Sequence, residues 1–455
     1  MFKELIFLVC ILNFSLAYRE YCSNRKSDKK CYCIHTADTN YMTAVKKADC
    51  SSINLKNVPA SETLDKELLY LDVSLNNIER LDKDYAYTNP ILTSFKLCHN
   101  NIMSIDPTYF NGVPDLEELD LSYNNLSAVD SDIFTPLTKL AKLNLANNFI
   151  TKIPQLQKTK LVSVDFSYNN LTAFFNNPNV RLIEYFPPHV TDVKLDRVGL
   201  MEISNKFFDG FVKVTRISLA DNNLNRIPVL PNTIEYLDLS GNVITQVTAH
   251  CLNYPALKEL KLNRMASLVT INHYAFFNLR ALDRISVTDN RNLETFTELA
   301  FGYLKDNKDF HIKSLSLARN GLKTLNETYQ YFFVDIEEVD LSGNPWTCNC
   351  TLLWLMKYAS YRTTINEGNL RCYAPYELHG FEIDELTDGD FPECFPQQYP
   401  QKTHRILLTF LILAILALVL LIFYLIKMAP MWYGNPGQSV GPNSPYNIAA
   451  NTDDM

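Results

Sequence analysis

Leu116-Glu117-Glu118-Leu119-Asp120-Leu121-Ser122-Tyr123-Asn124-Asn125-Leu126 is the stretch on which the fold turns. Apolar residues occupy its first, fourth, sixth and last places, and an asparagine stands two residues before the end. The alternation through Leu119 and Leu121 predicts a short strand with one set of side chains inward and the other outward. The same frame returns at Leu140, Leu143, Leu145, Asn148 and Ile150, and again at Ile234, Leu237, Leu239, Asn242 and Ile244. Copies begin at Leu68, Leu92, Leu116, Leu140, Leu161, Val190, Val214, Ile234, Leu257, Leu282, Ile312 and Ile336, which makes 12 units, most of them 20 to 25 residues apart. Phe110, Phe134, Phe208, Cys251 and Phe276 each lie six residues before the next copy and read as a second inward anchor on the return segment. No single unit can bury its apolar side alone, so neighbours stack into a continuous core. Twelve parallel strands at roughly 4.8 Å spacing predict a concave sheet about 53 Å along its arc.

The asparagine has a separate task. It stands where the chain leaves the strand, and its amide offers donors and an acceptor to backbone groups that would otherwise be orphaned. Asn76, Asn100, Asn124, Asn148, Asn169, Asn222, Asn242, Asn290, Asn320 and Asn344 form this expected ladder, with Val198 and Met265 in its place in two units. The longest spacings, 29 and 30, follow Leu161 and Leu282, where the readings are a bend, a protruding loop or plain drift of the repeat.

Both termini carry apolar segments. Residues 1–17 have a charged start at Lys3 and Glu4, an apolar run and the small residues Ser15-Leu16-Ala17, the pattern of a signal peptide. Residues 406–426 contain no charge, and 21 residues at about 1.5 Å each match the hydrocarbon core of a bilayer. With the signal peptide setting the orientation, the chain reads as a type I single-pass protein of the plasma membrane, its repeats extracellular. The net charge of −8 argues against a nucleic-acid binder, whose footprint would be a strongly basic face.

An open solenoid exposes core at both ends and needs caps. Of the 11 cysteines, Cys10 leaves with the signal peptide. Cys22, Cys31, Cys33 and Cys50 precede the repeats, and Cys348, Cys350, Cys372 and Cys394 follow them. An oxidising compartment makes these disulfides rather than a zinc site. A bridge from Cys31 to Cys33, or from Cys348 to Cys350, would close too tight a loop, which leaves two pairings for each cap. Cys251 reads as core, and Cys98 as a small half-buried side chain after a strand.

Cys31-Tyr32-Cys33 with Ala48-Asp49-Cys50 and Val58-Pro59, and Asn344-Pro345-Trp346-Thr347-Cys348-Asn349-Cys350 with Leu353-Trp354-Leu355, resemble the N- and C-terminal caps of animal extracellular leucine-rich-repeat proteins. The resemblance covers residues 22 to 394, although the spacing in the first cap departs from the family's compact form. It implies an α/β leucine-rich-repeat solenoid, or horseshoe, of 12 repeats, disulfide-capped at both ends and followed by one transmembrane helix. It also implies crossed bridges: Cys22–Cys33 with Cys31–Cys50, and Cys348–Cys372 with Cys350–Cys394. The expected organisation is signal peptide 1–17, N-terminal cap 18–67, repeats 68–344, C-terminal cap 345–396, stalk 397–405, membrane span 406–426 and cytoplasmic tail 427–455.

Acceptors for N-linked sugar stand at Asn125, Asn170, Asn326 and Asn349, the first two on the turn leaving the strand. Catalytic motifs are missing apart from Gly437-Gln438-Ser439-Val440-Gly441, which lies in the tail without the strand-turn-helix context that nucleophile needs. The carboxylates Glu382, Asp384, Glu385, Asp388 and Asp390 follow no calcium-loop spacing and read as a solvated surface. No cofactor, metal or enzymatic activity is expected. The pre-ordered outward strand positions suit a protein ligand, and Tyr70, Tyr123, Tyr168 and Tyr236 lie on or beside them. Repeats nine to eleven concentrate Lys258, Lys261, Arg264, Arg284, Lys313 and Arg319 against Glu259 and Asp283, so an acidic ligand surface is expected there. The candidate contact residues are Lys258, Lys261, Arg264, Arg284, Arg319 and Tyr236. The leading expectation is a cell-surface recognition protein in adhesion or cell-cell recognition, binding an extracellular protein ligand or an opposing-cell receptor, with acidic glycans as further candidates. A co-receptor or ligand-trapping protein of the same architecture is the alternative; an enzyme ranks last.

Overall fold

The computed structural model describes residues 22–23, 30–37, 43–303, 311–361, 370–395 and 402–428. The expected signal peptide, residues 397–401 of the stalk and nearly all of the tail, including the Gly437 to Gly441 motif, lie outside these residues. The chain divides into two compact units, Met1–Leu386 and Thr387–Met455.

The first unit is organised by one sheet of 15 strands among the described residues. Twelve of these are three-residue strands, from Tyr70–Asp72 to Glu338–Asp340, each beginning two residues into a sequence unit. They pair in parallel without a shift of register, Leu71 opposite Phe95, Phe95 opposite Leu119 and Leu119 opposite Leu143. The central residue of every repeat strand is buried, and its neighbours are exposed or half-buried except for the small Ser94 and Ser218. Slipping one strand by one residue would turn its apolar side chain to solvent, so the hydrophobic pattern sets the register.

Three strands precede the repeats. Cys31–Ala37 and Thr43–Asp49 form an antiparallel hairpin, and the second of them joins Tyr70–Asp72 in parallel, with Ala48 opposite Leu71. The first cap therefore extends the sheet and covers the edge of the first repeat strand. At the other end the Trp346 and Trp354 indoles are buried and donate to the Leu341 and Leu325 carbonyls at 3.1 and 3.0 Å. Disulfides join Cys31 to Cys50 and Cys348 to Cys372, and Cys33 and Cys350 are also disulfide-bonded.

The return segments contain little α-helix. Only Thr172–Phe175 and Tyr329–Phe333 are α-helical between the first and last repeat strands among the described residues; the rest is irregular turns with a few 3-10 turns and two-residue strands. Units of this length leave too few residues for a longer helix between two turns. Behind the 29-residue spacing the strands Ser163–Asp165 and Asp192–Lys194 still pair residue for residue, and so do Arg284–Ser286 and Ser314–Ser316 behind the 30-residue spacing. The additional residues of the longer units lie on the return side, and the sheet is unbroken.

Aromatic rings fill the space behind the sheet. Phe95 meets Phe110 edge-on at 6.5 Å, and Phe276, Phe301 and Phe332 follow one another at 5.1 and 4.7 Å. Phe110, Phe134, Phe208 and Phe276 are all buried. Cys251 corrects the core reading: it is exposed, with its Sγ 2.8 Å from the Thr248 hydroxyl. Val247, Leu252 and Tyr254 are buried around it and occupy the interior that the cysteine was expected to fill. Cys98 is half-buried, and burial pushes its thiol up to about 11.

In the second unit, Asp390 closes a short turn by accepting from the Thr387 amide and hydroxyl at 2.8 and 2.9 Å, and Cys394 is disulfide-bonded. Lys402–Met428 is one helix of 27 residues. Its segment Ile406–Lys427 has mean hydropathy 3.4, with no charge before Lys427, and is long and apolar enough to cross a membrane.

Candidate ligand-binding face

A binding face needs its side chains held still, and the asparagine ladder does this from beneath. Asn124 donates to the carbonyls of Leu97, Leu121 and Ser122 at 3.0, 3.0 and 3.2 Å and accepts from the Ile102 amide at 3.0 Å. Each side chain thus ties its own strand exit to the preceding unit, and all ten ladder asparagines are buried. Where Val198 and Met265 interrupt the series, the next asparagine compensates: Asn222 accepts from the Val198 and Leu200 amides, and Asn290 from the Met265 amide.

The residue before each ladder position is left-handed in all twelve units. From Leu75 to Gly343 the φ values at these places lie between 50° and 70°, in the small region that side-chain-bearing residues rarely adopt. The turn aims the following asparagine into the core, and it sets a second column of outward side chains beside the strands. In that column His99 stacks on Tyr123 at 4.1 Å, and the Arg197 guanidinium lies 5.9 Å from the Tyr168 ring.

Five of the twelve strand exits are also tied by an aspartate. Asp72, Asp120, Asp165, Asp238 and Asp340 each accept from the amide two residues on. Ser218 and Ser286 stand at that position in two units, and there the preceding unit supplies the acceptor. Asp196 takes the Ser218 hydroxyl at 2.5 Å and the Ala220 amide at 2.8 Å, while Asn263 takes the Ser286 hydroxyl and the Thr288 amide, both at 2.9 Å. Burial pushes the Asp196 carboxyl up to about 6 against these two bonds, with Asp238 and Asp165 adding to the rise.

All six candidate contact residues lie on this face or its flanking turns, and the five cations are paired. Lys258 meets Glu235 at 2.9 Å, and Lys261 and Arg284 meet Glu259 at 3.4 and 3.5 Å. Arg264 grips Asp221 at 3.0 and 3.2 Å, and Arg319 grips Asp289 at 2.7 and 2.9 Å. The Arg319 guanidinium holds the Asp289 carboxyl below its usual range. Tyr236 is clamped between the Arg216 guanidinium at 4.1 Å and the Lys261 ammonium at 5.2 Å. The arrangement is a mixed-charge lattice around an aromatic centre, not the open basic stretch that the cation count in repeats nine to eleven suggests.

Arg216, Asp221, Glu235 and Asp289 are the parts that sequence reasoning missed. Setting the units in columns would have exposed two of them, because Asp221 and Asp289, like Arg264 and Arg319, precede the ladder position. Gly241 holds the same place between Asp221 and Arg264. A Cβ there would lie 2.0 Å from the Asp221 carboxylate, so the glycine lets that ion pair pass across the intervening unit.

Elsewhere, a cleft of about 1060 Å³ opens on the return side beside Phe296, Asn326, Trp354 and Tyr358, and no candidate contact residue lines it. Asn125, Asn170 and Asn326 are exposed, whereas Asn349 is half-buried and accepts from the Thr351 amide and hydroxyl. Glu382 pairs with Arg371.

Two family models match the chain. One describes a leucine rich repeat, over residues 66–126 and 90–150, and the other a BspA type leucine rich repeat region, over 231–343. Mouse (Mus musculus) nephrocan is 26% identical over 191 residues, which are 37% of this chain and 36% of nephrocan, so the chain spans about a third of that relative. Among solved structures, the leucine-rich repeat domain of APL1B is similar at 20% identity and a TM-score of 0.49, over 71% of this chain and 87% of that one. The Drosophila Toll–Spatzle complex is similar at 15% identity and a TM-score of 0.46, over 76% of this chain and 54% of that one.

Proposed function

We propose that this chain of leucine-rich repeats is a cell-surface recognition protein that binds an extracellular protein ligand through the outward face of its repeat sheet, in adhesion or cell-cell recognition. The observation that carries the reading is the unbroken register of twelve parallel strands, which presents outward side chains in fixed columns without a cost of ordering at the moment of binding. The contact centre is Tyr236 with Arg216, Lys261 and Arg284. Its ion pairs are exposed, and exposed pairs contribute only about 0–1 kcal/mol each, so an acidic ligand group exchanges with them at little loss. The apolar helix anchors the repeats at the outer face of a membrane.

Association kinetics test the face. Lys261→Glu with Arg284→Glu should slow capture of the ligand several-fold at low salt, and the difference should shrink as salt rises past the point where screening reaches about 8 Å. An unchanged association rate would remove the face from the reading. Heparin competition run alongside separates an acidic glycan ligand from a protein. Aggregation of expressing cells identifies adhesion to an opposing cell; ligand capture without aggregation identifies a co-receptor or ligand trap instead.

A further inference from the structure

We propose that the N-linked glycan of Asn170 folds back onto the protein, its first sugars seated in a shallow depression walled by Phe149, Tyr168 and Arg197. The proposal rests on the extracellular reading given above. The depression holds about 460 Å³, and Asn170 itself forms part of its wall. Phe149 is 63% exposed and Tyr168 42%, so two aromatic rings face water at one spot. The place of Phe149, just after the ladder asparagine, is held by asparagine in five other units and by no other aromatic residue in the twelve. An apolar ring at that position is uncovered in the bare protein.

The attached sugar has the chemistry to cover it. The Asn170 amide nitrogen receives the oligosaccharide from a lipid-linked oligosaccharyl pyrophosphate. The C1–N bond forms as the C1–O bond to pyrophosphate breaks, and the amide releases one proton. Asn170-Leu171-Thr172 is the acceptor sequence, and the Asn170 side chain is exposed. A pyranose ring presents C–H groups on one face, which suits the flat apolar surface of Phe149 or Tyr168. Its hydroxyl and acetamide groups find partners in Arg197 and in Asn147, which also lines the depression. Tethering places the sugar at high effective concentration, so no free affinity is required.

The test uses the full chain expressed through the secretory pathway, with site-by-site glycan release by an N-glycanase followed by mass spectrometry. An aromatic contact of ordinary strength corresponds to roughly tenfold in an equilibrium. Release at Asn170 from the native protein should therefore accelerate about tenfold in Phe149→Ser, while release at Asn326 stays the same. Phe149→Tyr keeps a ring and should keep the slow release. Phe149 is exposed, so neither variant threatens the core. Release at Asn170 that ignores Phe149→Ser overturns the proposal, and so does a bare Asn170 in a protein modified at Asn326. Bare asparagines at every acceptor overturn the extracellular reading as well.

Discussion

Replacing a ladder asparagine with alanine should not cost the same at every rung, and the structure says where it costs most. At Asn124 the three carbonyls it serves keep second donors: the Asn100 amide on Leu97, the Asn148 amide on Leu121 and the His99 backbone on Ser122. Asn124→Ala therefore deprives one buried group, the Ile102 amide, and should cost about 1–3 kcal/mol. Asn222 stands alone beside Val198. Its Oδ1 accepts from two amides at 3.0 and 3.1 Å, and its Nδ2 reaches the Leu195 carbonyl at 2.8 Å, where Val198 offers no side-chain donor. Asn222→Ala deprives three buried groups, and even with partial relaxation it should exceed the first variant by at least about 2 kcal/mol. Chemical denaturation of the purified variants under one probe measures the difference. Equal losses, or a larger loss at Asn124, would refute the view that the ladder shares its bonds between neighbouring rungs.

Asp196→Asn should stabilise the protein at neutral pH, because an amide can accept the same two bonds that Asn263 accepts. The native carboxyl titrates at about 6, above its ordinary value of 3.8, so its contribution is fully present below pH 3.8 and is lost as pH rises to about 6. The gain from the asparagine should be about 2–3 kcal/mol at pH 7 and vanish below about pH 4, measured by denaturation across pH. Gly241→Ala places a Cβ against the Asp221 carboxylate at a φ of 70°. It should lower stability by about 1–2 kcal/mol in thermal denaturation. Cys348→Ser opens the bridge to Cys372 and should cost about 2–5 kcal/mol, read as a lower melting temperature and reduced export.

The repeat, its strands and the ladder are legible in the sequence because one physical requirement, burial of a shared stripe, recurs with a fixed period. The starts of all twelve units predict their strands two residues on. Cys251 misleads because spacing alone places it inward, while Leu252 and Tyr254 beside it can turn in instead, and larger apolar side chains gain more from burial. The charge pairs are hidden for another reason. Glu235 and Lys258 are 23 residues apart, and Asp221 and Arg264 are 43 apart with a whole unit between them. Such partners become neighbours only when the units are stacked in register, so a count of cations within three repeats overstates their free charge. Asp196 is hidden likewise: its carboxylate serves the next unit's strand exit, and nothing local marks it.

The most direct measurement of binding through the sheet face is to block that face with sugar. Arg284→Asn creates an Asn-Ile-Ser acceptor at the first, outward position of the Arg284–Ser286 strand, and Arg216→Asn does the same in Arg216–Ser218. Gln157→Asn creates an acceptor at an exposed place on the return side. With occupancy verified by mass spectrometry, ligand-bearing cells should fail to bind the two face-glycosylated proteins and should bind the return-side variant as they bind the parent. Full binding by the Arg284→Asn and Arg216→Asn proteins, or loss of binding in the Gln157→Asn protein alone, would contradict recognition through the sheet.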